Sequence, residues 1–169
     1  MRLIVFLLVA VGAVCGPGSS AADDAPKRSA ELQVLDRCIG DWDVVAAATG
    51  TDTKSNSIER RTWSRQGTFL LSENEDLTTT KESHYLITYD PKGKQYRCCF
   101  ISEEFTVPLL GTWDENTQTM HWRSSDVAFK HDAVSRFLDK DTVQFRMTVT
   151  SPEGKVVLDL SAKQTRRKK

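Results

Sequence analysis

The chain has 169 residues, of which 39% are hydrophobic, so it suits one domain with a single hydrophobic core. Lysine and arginine together number 23, and so do aspartate and glutamate, which makes the formal net charge zero. A neutral chain has no overall field that would draw it to nucleic acid or to an anionic membrane, so any partner must be argued from local features.

The first 22 residues have the pattern of a secretory signal peptide. Arg2 supplies the positive start, residues 3–14 are apolar, and Ser20-Ala21-Ala22 is a small-residue cleavage site. We therefore predict cleavage after Ala22 and export to the periplasm or the exterior. The apolar run is shorter than the roughly 20 residues of a membrane-spanning helix, so no transmembrane segment is predicted in the mature chain. Cys15 leaves an alternative open, which is a lipid-modified N-terminus.

Residues 23–30 are predicted to be a disordered linker that leads into a short helix. Ser29 can begin this helix because its hydroxyl accepts a hydrogen bond from a free backbone N–H. The apolar positions of the helix are Leu32, Val34 and Leu35. The first strand is predicted to begin near Gly40. A large indole such as Trp42, placed directly after a corner, is typical of a residue that closes one end of a barrel core.

The second strand, predicted over residues 58–66, alternates without a cleanly apolar face. One face carries Glu59, Arg61, Trp63 and Arg65. Such a face can line a polar cavity, but a solvated edge strand explains the same pattern and is the interpretation that we favour. Residues 49–57 before it and residues 73–81 after it are predicted to be loops. An apolar strand is predicted over residues 68–72, between the second strand and the loop of residues 73–81.

One hairpin pattern then recurs three times along the chain. Asp90, Asp114 and Asp139 each end a strand and lead through a polar turn to an aromatic residue followed by arginine. Aspartate at a turn start accepts hydrogen bonds from the backbone two residues on, so we interpret these aspartates as turn residues. The predicted strands are residues 83–89, 95–101, 105–113, 118–123, 127–137, 142–150 and 156–164. Val157 and Leu158 cannot both face inward on a regular strand, so one of them lies outside the core or a bulge intervenes.

About ten strands joined mainly by short turns, without the spacing of βαβ units, predict an antiparallel sheet. Closure of such a sheet removes its exposed edges. We therefore predict an all-β, up-and-down barrel with a short N-terminal helix over residues 31–165, followed by a basic tail of residues 166–169. The predicted core includes Trp42, Phe69, Leu71, Tyr85, Tyr96, Cys98, Trp113, Trp122 and Phe145.

Several short motifs resemble the bacterial domain-of-unknown-function family 1579, whose members have a lipocalin-like, calycin-type barrel. The motifs are Leu35 followed by Gly40-Asp41-Trp42, Gly67-Thr68-Phe69-Leu70, Tyr89-Asp90 with Lys94 and Tyr96 after it, and Gly111-Thr112-Trp113-Asp114. The resemblance runs from about residue 32 to residue 164. It implies the fold and carries no established activity.

Cleavage after Ala22 would leave three cysteines, Cys38, Cys98 and Cys99. Neighbouring strand residues point to opposite faces, so Cys98 and Cys99 are poorly placed to pair with each other. A disulfide between Cys38 and either Cys98 or Cys99 is one interpretation for an exported protein. Three small buried thiols are the other.

The sequence lacks the usual motifs of nucleophilic, phosphoryl, hydride and zinc chemistry. His84, His121 and His131 are scattered, whereas a metal site needs several donors that converge. We therefore predict no catalytic residue, no metal and no cofactor.

Two interpretations of the repeated arginines remain open. Arg97, Arg123 and Arg146 each follow an aromatic residue, so alternation places them outside a barrel whose aromatics are packed inside. In the opposite register they would lie in the lumen and hold a carboxylate or phosphate group.

The leading hypothesis is a non-enzymatic binding protein for a small apolar or amphipathic ligand, which can be lipophilic or anionic. The candidate binding residues are Trp42, Arg61, Trp63, Tyr85, Arg97, Trp113, Trp122 and Arg123. The alternatives are a fully packed barrel that serves as a structural or protein-interaction domain, and an unrecognised enzyme. A cavity separates the first two, because ten strands enclose a ligand only if their inward side chains leave room.

Overall fold

The computed structural model of the chain describes residues 28–51, 54–124 and 128–168. The predicted signal peptide and most of the predicted linker lie outside the described residues. One α-helix, α1 (Ala30–Val34), continues into a 3-10 turn (Leu35–Cys38). Ten strands follow: β1 (Gly40–Ala48), β2 (Lys54–Trp63), β3 (Leu70–Asp76), β4 (Glu82–Asp90), β5 (Gln95–Ser102), β6 (Thr106–Asp114), β7 (Thr119–Ser124), β8 (Lys130–Phe137), β9 (Thr142–Thr150) and β10 (Val156–Arg166).

The ten strands form one closed antiparallel barrel with up-and-down connections. Each strand pairs with its neighbours in sequence, and β10 closes the barrel by pairing with β1 through registers such as Val44 with Gln164. No strand of the barrel is therefore an edge. The predicted fold class is confirmed, and the interpretation of β2 as an edge strand is wrong, because β2 pairs with both β1 and β3.

Asp90, at the first hairpin turn, has the predicted role of a turn residue. Its carboxylate accepts hydrogen bonds from the backbone N–H groups of Lys92 and Gly93, at 3.0 and 3.1 Å. The Arg97 guanidinium donates to the same carboxylate at 2.6 Å. The bond from Gly93, and then that from Arg97, lower the pKa of Asp90. Asp114 and Asp139 accept backbone hydrogen bonds in the same way, so the recurring aspartates set the turns.

One end of the barrel is closed by the N-terminal segment. The Ser29 hydroxyl caps α1 by accepting from the Leu32 N–H at 3.4 Å, as predicted. The chain then folds across the barrel opening. Leu35, Trp42 and Leu70, which we call the floor, are 1%, 0% and 0% exposed. The Trp42 indole N–H donates to the Cys38 carbonyl at 2.8 Å, so the floor is anchored by a hydrogen bond as well as by packing.

The opposite end of the barrel is open. We call it the mouth, and it is formed by residues 77–81, 103–105 and 151–155 together with residues 49–51 and 128–129. Large apolar side chains are exposed there: Leu77, Phe105, Phe129, Val156 and Val157. Among the described residues, no segment covers the mouth as the N-terminal segment covers the floor.

The predicted register of β3 is wrong. Leu70 and Ser72 face inward and are 0% and 1% exposed, whereas Phe69 and Leu71, which we predict in the core, are each 37% exposed. Residues 69–71 are all apolar, so their pattern cannot choose a face. Pairing with β2 fixes the choice, because Leu70 lies opposite Trp63. Both β2 and β3 also extend into the segments predicted to be loops.

The bulge predicted as one alternative for the last strand is present. The register of β10 against β9 shifts between Val156 and Leu158. Val157 and Leu158 therefore both border the cavity, which a regular strand does not allow, although Val157 stays 53% exposed at the mouth.

Candidate ligand-binding cavity

A cavity of about 780 Å³ occupies the barrel between the floor and the mouth. Small-molecule sites typically measure about 300–1,000 Å³, so the cavity has the size of a ligand site. Small inward residues leave this space. Ala46 on β1 pairs with Ala162 on β10 and with Ser55 on β2, and all three line the cavity.

Most of the cavity wall is apolar. The strands from β5 to β10 contribute large hydrophobic side chains, among them Phe100, Val107, Leu109, Trp122, Phe145, Met147 and Leu160. Tyr85 on β4 packs against Phe100, with ring centroids 4.9 Å apart. This part of the wall can contact an apolar ligand over a large area but offers it few hydrogen bonds.

A polar cluster lies on the other side of the cavity, near the floor. We use this name for Glu59, Arg61, Ser72 and Gln164, which are between 1% and 9% exposed. Nη2 of Arg61 donates to Oε2 of Glu59 at 2.6 Å and to Oε1 of Gln164 at 2.8 Å. The Ser72 hydroxyl donates to the second oxygen of Glu59. Both oxygens of the buried carboxylate are therefore hydrogen-bonded, as a buried charge requires.

Strand geometry brings the polar cluster together. Glu59 and Arg61 are two residues apart on β2, so their side chains share a face. Arg61 lies directly opposite Ser72 on β3. Gln164 reaches Arg61 from β10, which is a neighbour only because the barrel is closed through β1. The cluster thus depends on a contact between residues 103 positions apart.

The ionisable groups around the polar cluster are held in definite protonation states. Burial lowers the pKa of Arg61, but the charge and hydrogen bond of Glu59 outweigh it, so the net shift is upward and the guanidinium stays charged. Burial, reinforced by the Glu59 charge, raises the pKa of Tyr85. Its hydroxyl therefore stays protonated.

Two cysteines also line the cavity, and burial raises the pKa of both Cys38 and Cys98. A thiolate is the reactive form of cysteine, so these two thiols are poor nucleophiles. Cys38, Cys98 and Cys99 are all free in the structure, so neither predicted disulfide with Cys38 is formed. Within the described ranges, no group of three or more histidine, cysteine, aspartate or glutamate residues is arranged to hold a metal ion.

Three of the predicted binding residues line the cavity: Arg61, Tyr85 and Trp122. Trp42 instead belongs to the floor, where its ring centroid lies 5.3 Å from the Arg61 guanidinium carbon. Trp42 therefore supports the polar cluster from below.

Trp63 and Trp113 lie at the closed end outside the cavity, which corrects their prediction as binding residues. Arg28 stacks over Trp63 at 4.5 Å, and Arg37 stacks over Trp113 at 4.4 Å. The two indole N–H groups donate to side-chain carboxylates, that of Asp36 at 2.8 Å and that of Glu115 at 2.6 Å. Both rings are thus engaged in holding the end of the barrel together.

The lumen interpretation of Arg97 and Arg123 is wrong. Their side chains are 57% and 79% exposed on the outer surface, where they form ion pairs with Asp90 at 2.6 Å and Asp132 at 3.3 Å. The physical reason is alternation, because the preceding residues Tyr96 and Trp122 are buried inside at 4% and 8% exposure. Arg146 follows the same rule and pairs with Asp159 at 3.0 Å.

Glu59, Ser72 and Gln164 are the members of the polar cluster that are absent from the predicted binding residues. Residues 55, 57, 59 and 61 alternate as serine, serine, glutamate and arginine on one face of β2. This pattern has the same form for a solvated face and for a polar lumen wall. An acid and a base two residues apart on that face were the available signal for a buried ion pair.

The fold and the cavity define a lipocalin-like barrel: a closed antiparallel barrel with a lumen large enough for a small molecule. The chain belongs to DUF1579, described as a protein of unknown function, whose family model matches residues 27–166. No curated protein matches the sequence.

The solved structures that share this fold include the following two. One is an S-type phycobiliprotein lyase from Guillardia theta, with a TM-score of 0.61 and 12% identity over 84% of this chain and 95% of that chain. The other is Rv2717c from M. tuberculosis, with a TM-score of 0.58 and 11% identity over 84% of this chain and 100% of that chain. At such identities the likeness shows the fold alone. Within the described residues, no helix is long and apolar enough to cross a membrane.

Proposed function

We propose that this protein binds one small amphipathic ligand inside its barrel and carries out no chemistry on it. The observation that supports this most directly is the cavity of about 780 Å³, which is apolar over most of its wall and polar at one place near the floor. Such a site takes an elongated molecule with its polar group at the bottom and its apolar part toward the mouth. The likeness to a phycobiliprotein lyase is compatible with a small-molecule role.

Four of the ionisable groups that line the cavity favour binding over catalysis. Arg61 and Tyr85 are held in their protonated forms, and the thiols of Cys38 and Cys98 are held protonated by burial. General acid–base catalysis needs a group whose pKa lies near the working pH. These four groups hold and orient a ligand without supplying such a proton transfer.

The proposal also places the protein outside the cytoplasm. The signal-peptide pattern of residues 1–22 supports export, with cleavage after Ala22. A lipid-modified Cys15 is the alternative. The intact mass of protein from its own host distinguishes the two, because a lipid would add mass to a chain that begins at residue 15.

The test of binding uses two pairs of substitutions on the same two strands. Ala46 and Ala162 face the lumen as a cross-strand pair, and their outward neighbours Ala47 and Ser161 form the next pair. We expect A46F/A162F to fill the space that these two small side chains leave in the cavity. The control A47F/S161F adds the same two rings outside the barrel.

The measurement is the fluorescence of N-phenyl-1-naphthylamine, an uncharged dye that brightens in apolar surroundings. We expect the wild-type chain and A47F/S161F to bind it with affinities within about twofold, and A46F/A162F to bind it at least about tenfold more weakly. Circular dichroism confirms that each variant is folded. Equal binding by both double variants would place the dye outside the cavity and contradict the proposal.

A further inference from the structure

The charged groups that line the cavity cancel at the polar cluster. Glu59 and Arg61 form an ion pair at 2.6 Å. The other lining residues with ionisable side chains of the acid or imidazole type are Asp76 and His131, both toward the mouth. The Asp76 carboxylate accepts the N–H groups of Thr78 and Thr79 in its own loop, each at 2.8 Å. No unpaired arginine or lysine lines the cavity within the part of the chain that is described.

Arg37 and Arg166 also lie near the floor but do not line the cavity. Arg166 stacks on Trp42 at 4.2 Å and forms an ion pair with Asp141 at 3.2 Å. Arg37 stacks on Trp113 and donates to the Val34 carbonyl at 3.1 Å. Both guanidinium groups therefore have their partners at the closed end. Neither is placed to donate a hydrogen bond to a ligand in the lumen.

Hydrogen-bonding capacity nevertheless remains at the polar cluster. A guanidinium has five N–H donors, and the bonds of Arg61 to Glu59 and Gln164 both come from Nη2. The Nε and Nη1 donors are left over, and Arg61 lines the cavity. The Tyr85 hydroxyl is a further donor and acceptor. It lies near enough to the cluster for the charges of both Glu59 and Arg61 to shift its pKa. The cluster thus offers hydrogen bonds without offering net positive charge.

This combination discriminates among ligand head groups by charge. A carboxylate or phosphate beside the ion pair would leave one net negative charge buried, which is strongly unfavourable without a counter-ion. An ammonium group would leave one net positive charge buried. A hydroxyl, carbonyl or amide would use the free donors and leave the pair neutral.

We propose that the ligand held in the barrel has an uncharged, hydrogen-bonding head group, which Glu59 selects by neutralising Arg61. This inference rests on the proposed function and specifies its ligand class. Glu59 thus sets specificity without needing to contact the ligand itself. The inference excludes fatty acids and phosphorylated lipids, the anions that an arginine in a barrel would otherwise attract.

The test compares three ligands with the same chain and different heads. Decanol, decanoate and decylamine are each titrated as competitors of N-phenyl-1-naphthylamine near neutral pH, where the acid is anionic and the amine cationic. For the wild-type chain we expect decanol to compete at least about tenfold better than either charged ligand.

Substitution of Glu59 should invert this preference. E59Q keeps the size of the side chain and a carbonyl oxygen for Arg61, but removes the negative charge. We expect decanoate binding to improve at least about tenfold in E59Q, because the anion now supplies the missing partner of Arg61. The matched control is E73Q, which removes one negative charge from the exposed face of β3, next to Ser72 in sequence. Its preference should stay that of the wild-type chain.

A second variant makes the test independent of whether E59Q folds. R61Q leaves Glu59 without its cation, so decylamine should become the strongest of the three ligands. A wild-type chain that binds decanoate better than decanol overturns the inference but leaves the proposed function standing. Unchanged head-group preference in folded E59Q or R61Q also overturns it. A wild-type chain that binds neither the dye nor any of the three ligands contradicts the proposed function itself.

Discussion

At the closed end of the barrel Trp42 and Leu70 are 0% exposed, whereas at the mouth Leu77 and Phe105 are 52% and 51% exposed. The same ten strands serve both ends. At the closed end a helix crosses the opening and large side chains fill the interior. Toward the mouth the inward residues of β1 and β2 are small, and nothing among the described residues covers the opening. The packed closed end thus stabilises a barrel that has a cavity toward its mouth.

The four tryptophans also differ according to their place in the barrel. Trp42, Trp63 and Trp113 at the closed end each lie under an arginine at 4.2–4.5 Å, and each indole N–H has a hydrogen-bond acceptor. Trp122 lines the cavity instead. Burial of the first three stabilises the fold, so aromatic residues identified in a barrel sequence need to be assigned to an end before they are assigned to a ligand.

Substitution at the floor should have the largest effect on stability. We expect W42A to lower the free energy of unfolding by about 3–5 kcal/mol, because it opens a void under the polar cluster and removes the bond to Cys38. The matched change at the mouth, L77A, should cost less than about 0.5 kcal/mol, since this side chain is half exposed. Urea unfolding monitored by circular dichroism measures both values.

Comparable losses in the two variants would contradict this division. They would mean that the mouth is packed in solution as tightly as the floor. A large effect of L77A on stability would also weaken the case for an open cavity.

Thiol accessibility should distinguish the inside of the barrel from the outside along a single strand. Cys98 faces the lumen and is buried, whereas its neighbour Cys99 is partly exposed. Iodoacetamide should modify Cys99 in the native protein, and Cys38 and Cys98 only after denaturation, because burial raises the pKa of the latter two thiols. Mass spectrometry of the chain from residue 23 onward should show one adduct and then three, with or without prior reduction. Two adducts that appear only after reduction would instead reveal a disulfide.

The hairpins were predictable because their signals are local. Asp90 and Gly93 lie within one turn, and the apolar alternation on either side fixes the strands. The bulge in β10 was also foreseeable as an alternative, since Val157 and Leu158 are adjacent and both apolar. In these segments neighbouring residues carry the whole signal.

The polar cluster was not predictable because it depends on closure. Arg61 meets Gln164 only when β10 pairs with β1, and no local pattern states which face of β2 will be enclosed. The register of β3 fails for a related reason, since residues 69–71 are apolar on both faces. Where the residues of a strand do not show which face is inward, its pairing with distant strands determines that face. The candidate site lies on β2 and β3, where this is the case.

Native mass spectrometry of the protein purified from its own host tests the central claim most directly. We expect a bound small molecule that leaves on denaturation and carries an uncharged polar head, retained by A47F/S161F and absent from A46F/A162F. Repeated isolation of ligand-free wild-type protein, together with no binding to decanol, decanoate or decylamine, would contradict the claim that the barrel binds a small ligand.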